Sequence, residues 1–557
     1  MGRRSTSGRL GGWAVAASAL GAVAWSARRN LGPETTTWDE DEVVYFDLAA
    51  EAASHIYTLS PTLLSEGLTQ TIRPPLTIVT DAALLLLMQP DPAVLSFLRV
   101  AWIGLLLWGV AAFVHELTDR SPRLAEVRGA ALPIGVGLVA TAPAVLQLGS
   151  SLMSEVPLAA LGIHALRYLA RPPTAANAAK AGVVCGLGML VKWTFPVILV
   201  GPAVVYAVTR ARPVRWWITV AGVGALLCGP WYLASLDSTV PFILEASVGE
   251  GARAYGADQR TALEETGYYL LTILGDLFWL PLAVFVLVGV GRAAREDGRE
   301  LLPLLAAAIA PPLLFSLLAN KEIRYLLPIV PVLGVLAGLG LALLRARWSR
   351  LPVVLVVLGA VVVASGLPLQ GQRPAKETKG GGGPIEARFD GGAGMAGLPT
   401  RVALRTPLGS LTLWSRGTRS FKYRMGLRDG LPIREIDQRV QQLNPGGPRA
   451  AAVLSPEPWL WTPLWAEGAR HHGWTRWRSA QCDPVLVSEA SFFVTLEPVE
   501  PPTAHCRAAT IAGRERFAAL RPSLQSLGRW AVDGRTLTLW VARNRLYPNQ
   551  PVPASRD

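Results

Sequence analysis

The ionisable residues that could do chemistry in this chain are few, widely spaced and bordered by apolar sequence. They are the acidic run Asp39-Glu40-Asp41-Glu42, Arg73, Glu155, Lys192 and the group Lys321, Glu322 and Arg324. A carboxylate of the acidic run can act as a general base if an acceptor hydroxyl comes within hydrogen-bond reach. It can equally cap a helix, because acids in a first turn oppose the helix dipole. The segment Val43-Val44-Tyr45-Phe46-Asp47-Leu48-Ala49-Ala50 follows with apolar residues at helical spacing, which predicts an amphipathic helix lying on a membrane. Lys192 and Arg324 have a structural alternative too, as long side chains snorkelling from helix ends. The sequence has no Walker loop, no His-Glu-x-x-His, no Cys-x-x-Cys and no Gly-x-Gly-x-x-Gly. A cytoplasmic nucleotide-sugar or ATP-driven reaction is therefore unsupported.

The elements that must position these residues are membrane helices. Of 557 residues, 51% are hydrophobic and 17% charged, below the roughly 25% charged of soluble domains. The apolar residues are clumped, as in Ile218–Cys228, Leu270–Val290 and Leu351–Leu367, which is what a bilayer core demands. The net charge of +13 sits largely in short turns between apolar runs. It therefore reads as positive-inside loops with attraction to anionic lipid, and no nucleic-acid partner is expected.

Keeping the basic turns on one side gives a topology. The N-terminus is cytoplasmic, and Leu10–Ala27, behind Arg3, Arg4 and Arg9, is an uncleaved first helix, although Arg28 and Arg29 weaken the charge rule there. Trp38–Arg73 lies outside, and Pro75–Gln89, short and bounded by Pro90 and Pro92, is interfacial or re-entrant. Val94–Leu117, Ala130–Leu148 and Val156–Leu169 then cross in turn. Between Lys180 and Arg210, two short helices over about 178–191 and 194–208 keep both basic ends inside and put Lys192 at an outer turn. One long helix would bury an unpaired ammonium in hydrocarbon, at greater cost. Trp216–Trp231, Tyr268–Val290, Leu301–Leu318, Leu326–Leu344 and Leu351–Leu369 complete about eleven spans with the C-terminus outside. Asp39–Glu42, Arg73, Glu155, Lys192, the 245–265 loop and Lys321, Glu322 and Arg324 all converge on the outer leaflet in this arrangement.

The same residues carry a resemblance. Asp41-Glu42-Val43-Val44-Tyr45, with Ala49, is similar to the Asp-Glu-x-x-Tyr opening of the first outer loop in the C-type glycosyltransferases. The likeness is to the protein O-mannosyltransferases and the bacterial aminoarabinose transferases of lipid A. Arg73-Pro74-Pro75-Leu76 resembles their Pro-Pro-Leu segment, and Arg99 falls where the next span often begins with Arg. Ser154-Glu155-Val156-Pro157-Leu158 resembles a second acidic position, Gly188-Met189-Leu190-Val191-Lys192 a Gly-Leu-x-x-Leu-Thr-Lys segment, and Arg324-Tyr325-Leu326-Leu327-Pro328 the late Arg-Tyr-Leu-Leu-Pro. Three features depart from the pattern. Glu155 stands where Asp is usual, Arg73 where His or Lys is usual, and Asp39 rivals Asp41, though the register to Tyr45 favours Asp41.

The resemblance implies a GT-C-like, α-helical polytopic enzyme that transfers a sugar from a polyprenyl-phosphate donor, with inversion, to an acceptor protein, lipid or polysaccharide outside the cytoplasm. Asp41, with Glu42 beside it, is then the candidate base, and Glu155 orients the acceptor or holds Lys192 or Arg73. Lys192, Arg324 and Arg73 would stabilise the leaving phosphate, and Tyr45 and Tyr325 would bind substrate. The 237–266 loop, with Arg253, Tyr255 and Arg260, would cover the site. No cofactor is expected; Asp39, Asp41 and Glu155 are the residues that could hold a divalent ion.

After the last span, 370–399 reads as a Gly/Pro-rich linker, and 400–557 as a small extracytoplasmic α+β domain that matches no family. Arg401–Trp414 and Arg535–Val541 alternate like strands, with Leu537, Leu539 and Val541 sharing a face. Trp459, Trp461, Trp465, Trp474 and Trp477 form a cluster that reads first as core and second as a sugar- or membrane-binding surface. Cys482 and Cys506 could form a disulfide there, while Cys185 and Cys228 read as packing residues. The Ala/Arg/Gly/Pro-rich composition suggests a high-GC bacterium and its inner membrane. Two rivals remain open: a transporter or flippase of lipid-linked sugars, and an assembly protein working through its C-terminal domain.

Overall fold

The computed structural model describes residues 40–87, 95–149, 151–209, 212–249, 262–278, 280–318, 322–344, 378–380, 385–389, 401–415, 432–443, 451–454, 464, 477–479, 484–497, 507–532 and 535–542. The chain divides into two compact units. One is built on Thr62–Thr80 and Ser96–Ser420, the other on Arg28–Pro61, Asp81–Leu95 and Phe421–Asp557.

The helices run in chain order as α1 (Glu40–Tyr57), α2 (Pro61–Gln70), α3 (Pro75–Leu87), α4 (Leu95–Arg120), α5 (Pro122–Ala140), α6 (Pro143–Gly149), α7 (Glu155–Ala170), α8 (Ala175–Met189), α9 (Phe195–Val208), α10 (Val214–Ala234), α11 (Leu236–Val248), α12 (Ala262–Leu271), α13 (Leu280–Ser316) and α14 (Ile329–Ala342). Among the described residues, three stretches are helical, long and apolar enough to cross a membrane: Phe97–Arg120, Val214–Ala234 and Leu282–Ser316. The first span of the sequence reading, Leu10–Ala27, and the last, Leu351–Leu369, lie outside the described residues. Helix α3 has 13 residues and is about 20 Å long, too short for a hydrocarbon core of about 30 Å.

Helix α13 runs through the basic turn expected at 292–299, but Asp297 breaks it, with φ −137° and ψ 34°. The expected span over Tyr268–Val290 is interrupted by a π-helical turn, Thr272–Leu277. The widened turn makes room for a strand: a Cβ on Gly275 would stand 2.7 Å from the Thr412 carbonyl oxygen.

Lipid offers no hydrophobic force between helices, so close packing through small residues takes its place. Every residue of α14 is buried. It approaches α5 so tightly that a Cβ on Gly338 would lie 2.8 Å from the Ala131 oxygen. Helices α8 and α10 cross in the same way, Gly186 meeting the Gly224 oxygen. The opposite face of α10 exposes Val214, Ile218, Leu226 and Leu233, an apolar stripe suited to lipid.

The strands form two sheets. A four-stranded antiparallel sheet takes β1 (Thr378–Gly380), β2 (Ile385–Phe389), β3 (Arg401–Thr406) and β4 (Gly409–Ser415) in chain order. Its first two strands come from the segment read as a linker. Its last two form the hairpin expected near Arg401–Trp414, tied to the π turn where Thr412 Oγ1 donates to Asp276 Oδ1 at 2.7 Å. The second unit holds a five-stranded mixed sheet, ordered β6-β5-β7-β9-β8. Its strands are β5 (Ala451–Val453), β6 (Trp477–Ser479), β7 (Phe492–Glu497), β8 (Leu524–Val532) and β9 (Arg535–Ala542), with helices α15 (Ile433–Leu443), α16 (Pro484–Glu489) and α17 (Arg507–Leu520). Leu537, Leu539 and Val541 are fully buried on β9. Phe493, Phe517 and Trp540 pack in this unit's core. Trp477 is buried in β6; the other four tryptophans of the cluster, with Cys482 and Cys506, lie outside the described residues.

Candidate active site

Three turns of the first unit meet at one end of its helices. The first is the N-terminus of α7, where Glu155 is the first helical residue. A carboxylate there is favoured by the helix dipole, and Glu155 is only 1% exposed. Upstream, the fully buried Arg99 reaches back from α4 and donates to the Leu152 carbonyl at 3.4 Å.

The second turn joins α8 to α9 and carries Lys192. Gly188 lets it close, because a Cβ there would overlap the Phe195 ring. The Lys192 amide donates to the Gly188 carbonyl, and the Phe195 amide to the Lys192 carbonyl. A helix end leaves its last carbonyls without intrahelical donors. Here the Tyr232 hydroxyl takes that of Met189 and the Leu76 amide that of Leu190, each at 2.9 Å. The second bond fixes the Arg73-Pro74-Pro75-Leu76 segment against the Lys192 turn.

The third turn, the 3₁₀ segment Ile323–Leu326, follows an extended Glu322. Its Tyr325 amide donates to the Glu322 carbonyl, which folds the Glu322 and Arg324 side chains into an ion pair.

These turns bring Glu155, Lys192 and Arg324 together. Lys192 Nζ donates to Glu155 Oε1 at 2.6 Å, and Arg324 Nε lies 3.7 Å from the same oxygen. Arg324 also reaches Met153 Sδ at 3.5 Å. Tyr325 presents its ring to Lys192, 5.5 Å from ammonium to centroid, and stacks on Phe315 at 5.4 Å. Two cations thus share a buried carboxylate while keeping some surface, 14% for Lys192 and 16% for Arg324. With Glu322 on Arg324 the two cations and two carboxylates balance. The Lys192 and Arg324 N–H groups that keep some surface are fixed donors, which an incoming anionic oxygen would meet with little reorganisation.

The sequence named Glu155, Lys192, Arg324 and Tyr325, and the structure gathers all four. It gave no role to Met153 or Phe315 and none to the pairing of Glu322 with Arg324. Arg73 is part-buried, with its amide bonded to Thr71 Oγ1. Asp41 and Glu42 stand in the first turn of α1, and Tyr45 of the same helix is buried. These three belong to the second unit. Among the described residues no three His, Cys, Asp or Glu side chains gather as a metal would need. Asp39, Lys321, Arg253, Tyr255 and Arg260 lie outside those residues.

Comparison with known proteins extends this picture. A sequence profile of the Alg9-like mannosyltransferase family matches residues 263–373, the stretch that holds Arg324 and Tyr325. Two solved structures of ArnT from Cupriavidus metallidurans, bound to undecaprenyl phosphate and in the apo state, superpose with TM-scores of 0.56 and 0.55. They cover 94% and 95% of this chain and 97% and 98% of their own, at 16% and 15% identity. The fold is that of the C-type membrane glycosyltransferases. By sequence the chain is similar to the undecaprenyl phosphate-alpha-4-amino-4-deoxy-L-arabinose arabinosyl transferases of Aeromonas salmonicida (strain A449) and Aeromonas hydrophila subsp. hydrophila. Each is 29% identical over 267 residues. That is 46% of either chain, so this protein spans about half the length of the curated relatives it matches.

Proposed function

We propose that this protein is an integral membrane glycosyltransferase that moves a sugar from a polyprenyl-phosphate donor to an acceptor outside the cytoplasm, inverting the anomeric carbon. The observation that carries the reading is the Glu155–Lys192–Arg324 cluster, set in a fold shared with a structure that holds undecaprenyl phosphate. The acceptor oxygen attacks the anomeric carbon while the bond from that carbon to the phosphate oxygen breaks. The bonding electrons leave with the lipid phosphate, whose growing charge Lys192 and Arg324 meet, with Arg73 as a third cation. Lys supplies a point charge and Arg a two-pronged donor. Asp41 takes the acceptor proton, supported by Glu42, and Glu155 keeps Lys192 and Arg324 in position. Tyr45 and Tyr325 are the substrate-binding residues of this scheme. No cofactor enters this scheme.

The same reading places the transferase in residues 1–369 with about eleven spans in a bacterial inner membrane, the N-terminus cytoplasmic. Residues 370–399 then lead into an extracytoplasmic domain over 400–557. The relatives are transferases by name, which gives the transporter reading no support.

The test is consumption of undecaprenyl-phosphate sugars by the purified full-length protein, starting with 4-amino-4-deoxy-L-arabinose because it is the relatives' donor. Turnover should fall about 100-fold or more in Asp41→Asn and in Lys192→Ala. Donor binding without turnover in the wild type, across several sugars and acceptors, would sink the proposal.

A further inference from the structure

At the far end of α7 from Glu155 lies a second gathering of cations, one the transfer reaction does not use. Helix α7 has 16 residues, so about 24 Å separates its two ends. Its last carbonyls, Leu169 and Ala170, each accept from a guanidinium at 2.6 Å: Arg212 Nη2 on the first and Arg120 Nη1 on the second. Capping of a helix C-terminus by arginine explains those two bonds. It does not explain the charge. Other arginines at this end share carboxylates: Arg167 and Arg171 bind Glu116, Arg128 binds Asp119, and Arg123 and Arg292 approach Glu296. Arg120 and Arg212 stand side by side and form no ion pair with a described carboxylate. Glu300 stands near Tyr206 and pairs with neither.

The arrangement is also short of acceptors. Arg212 is held between two rings, 5.1 Å from the Tyr206 centroid and 5.3 Å from that of Trp216. Its guanidinium hydrogen-bonds the Tyr206 side chain, yet its Nε is buried without a hydrogen-bond partner. The Trp216 side chain is 97% buried, and its indole N–H has no partner either. A buried donor left unmet is costly, and here two such donors adjoin a pair of guanidiniums that no described carboxylate pairs with. Burial pushes the Arg212 pKa down, against the opposing pull of the Tyr206 side chain, and the neighbouring Arg120 adds to the fall. An anion would relieve both. The surface beside the notch is apolar and exposed, with Val208, Val214 and Ile218 facing outward, as acyl chains would require.

We propose that the notch formed by Arg120, Arg212, Tyr206 and Trp216, at the C-terminal end of α7, binds the phosphate of an anionic phospholipid in the leaflet opposite the candidate active site. The two guanidiniums supply the charge, the Arg212 Nε and the indole N–H supply donors, and the exposed apolar flank of α9 and α10 takes the chains.

The experiment uses the full-length protein in nanodiscs of phosphatidylcholine alone or with phosphatidylglycerol, reading the thermal midpoint. Native mass spectrometry of the detergent-purified protein then counts lipids retained from an equimolar mixture of the two. The wild type should hold phosphatidylglycerol in preference and unfold several degrees higher in the discs that contain it. Arg120→Gln/Arg212→Gln should lose both effects, Trp216→Phe should weaken them with the ring kept in place, and the exposed Arg215→Gln should retain them. Equal retention of the two lipids by the wild type, which tests the idea without any variant, would overturn the proposal. So would a double variant that keeps the preference. Inorganic phosphate reproducing the midpoint shift in phosphatidylcholine discs would overturn the lipid assignment in favour of a free anion.

Discussion

Glu155 carries a charge that could not stay buried alone, and the site is organised around that fact. The cost of burying an ionised carboxylate is several kcal/mol, and Lys192 and Arg324 offset it from two separate turns. A snorkelling lysine would contribute little to folding, whereas one member of a buried pair should matter to its partner. Each of Glu155→Gln and Lys192→Met should therefore destabilise the protein by about 3–5 kcal/mol. The double variant should cost about 1–3 kcal/mol less than the sum. Additive losses in equilibrium unfolding would mean that the two groups do not depend on each other. The set was legible because the loop-charge topology brought Glu155, Lys192 and Arg324 to one leaflet and the family resemblance fell on the same three residues. The pairing of Glu322 with Arg324 was not legible. It depends on an extended residue entering a 3₁₀ turn, a local geometry that leaves no periodic trace in the sequence.

Elements position these residues through their breaks as much as through their lengths. The turn at 190–194 was readable because a continuous helix would have buried Lys192 in hydrocarbon, and the helices do end at Met189 and resume at Phe195. The π turn at Thr272–Leu277 and the strands β1 and β2 were not readable. The first is set by a hairpin more than 130 residues later in the chain, and the second by pairing along β3 of a segment whose glycines suggest flexibility. Helix crossings depend on small residues in the same non-local way. Gly338→Leu should push α14 away from the Ala131 carbonyl, costing about 1–3 kcal/mol or more. It should lower the midpoint of detergent-solubilised protein or abolish its monodisperse peak. Gly222→Ala is the control, since a Cβ there meets nothing within 4 Å, and it should leave both readouts unchanged. Equal effects of the two substitutions would show that helix propensity, not close approach, governs these glycines.

On the scale of the molecule, the likeness to ArnT extends over 94% of the chain at 16% identity, while sequence similarity to the curated relatives stops at 46%. The architecture is thus retained well beyond the residues that still resemble those relatives. A whole-chain readout of the site follows from linkage, because a ligand that binds only the folded state raises its stability by about 2.7 kcal/mol at one hundred times its Kd. Undecaprenyl phosphate, the product lipid of the proposed reaction, should accordingly raise the thermal midpoint by roughly 2–5 °C. Lys192→Ala should abolish that rise, because the lost ammonium is one of the two cations held at Glu155. Arg120→Gln/Arg212→Gln should preserve it, because those guanidiniums cap the other end of α7. The two anion sites then separate as a pair of opposite dependences, polyprenyl phosphate on Lys192 and phosphatidylglycerol on Arg212. If Lys192→Ala left the undecaprenyl phosphate shift intact while the arginine variant removed it, the lipid phosphate would have to bind at the opposite end of the helices, and the catalytic assignment would fall with it.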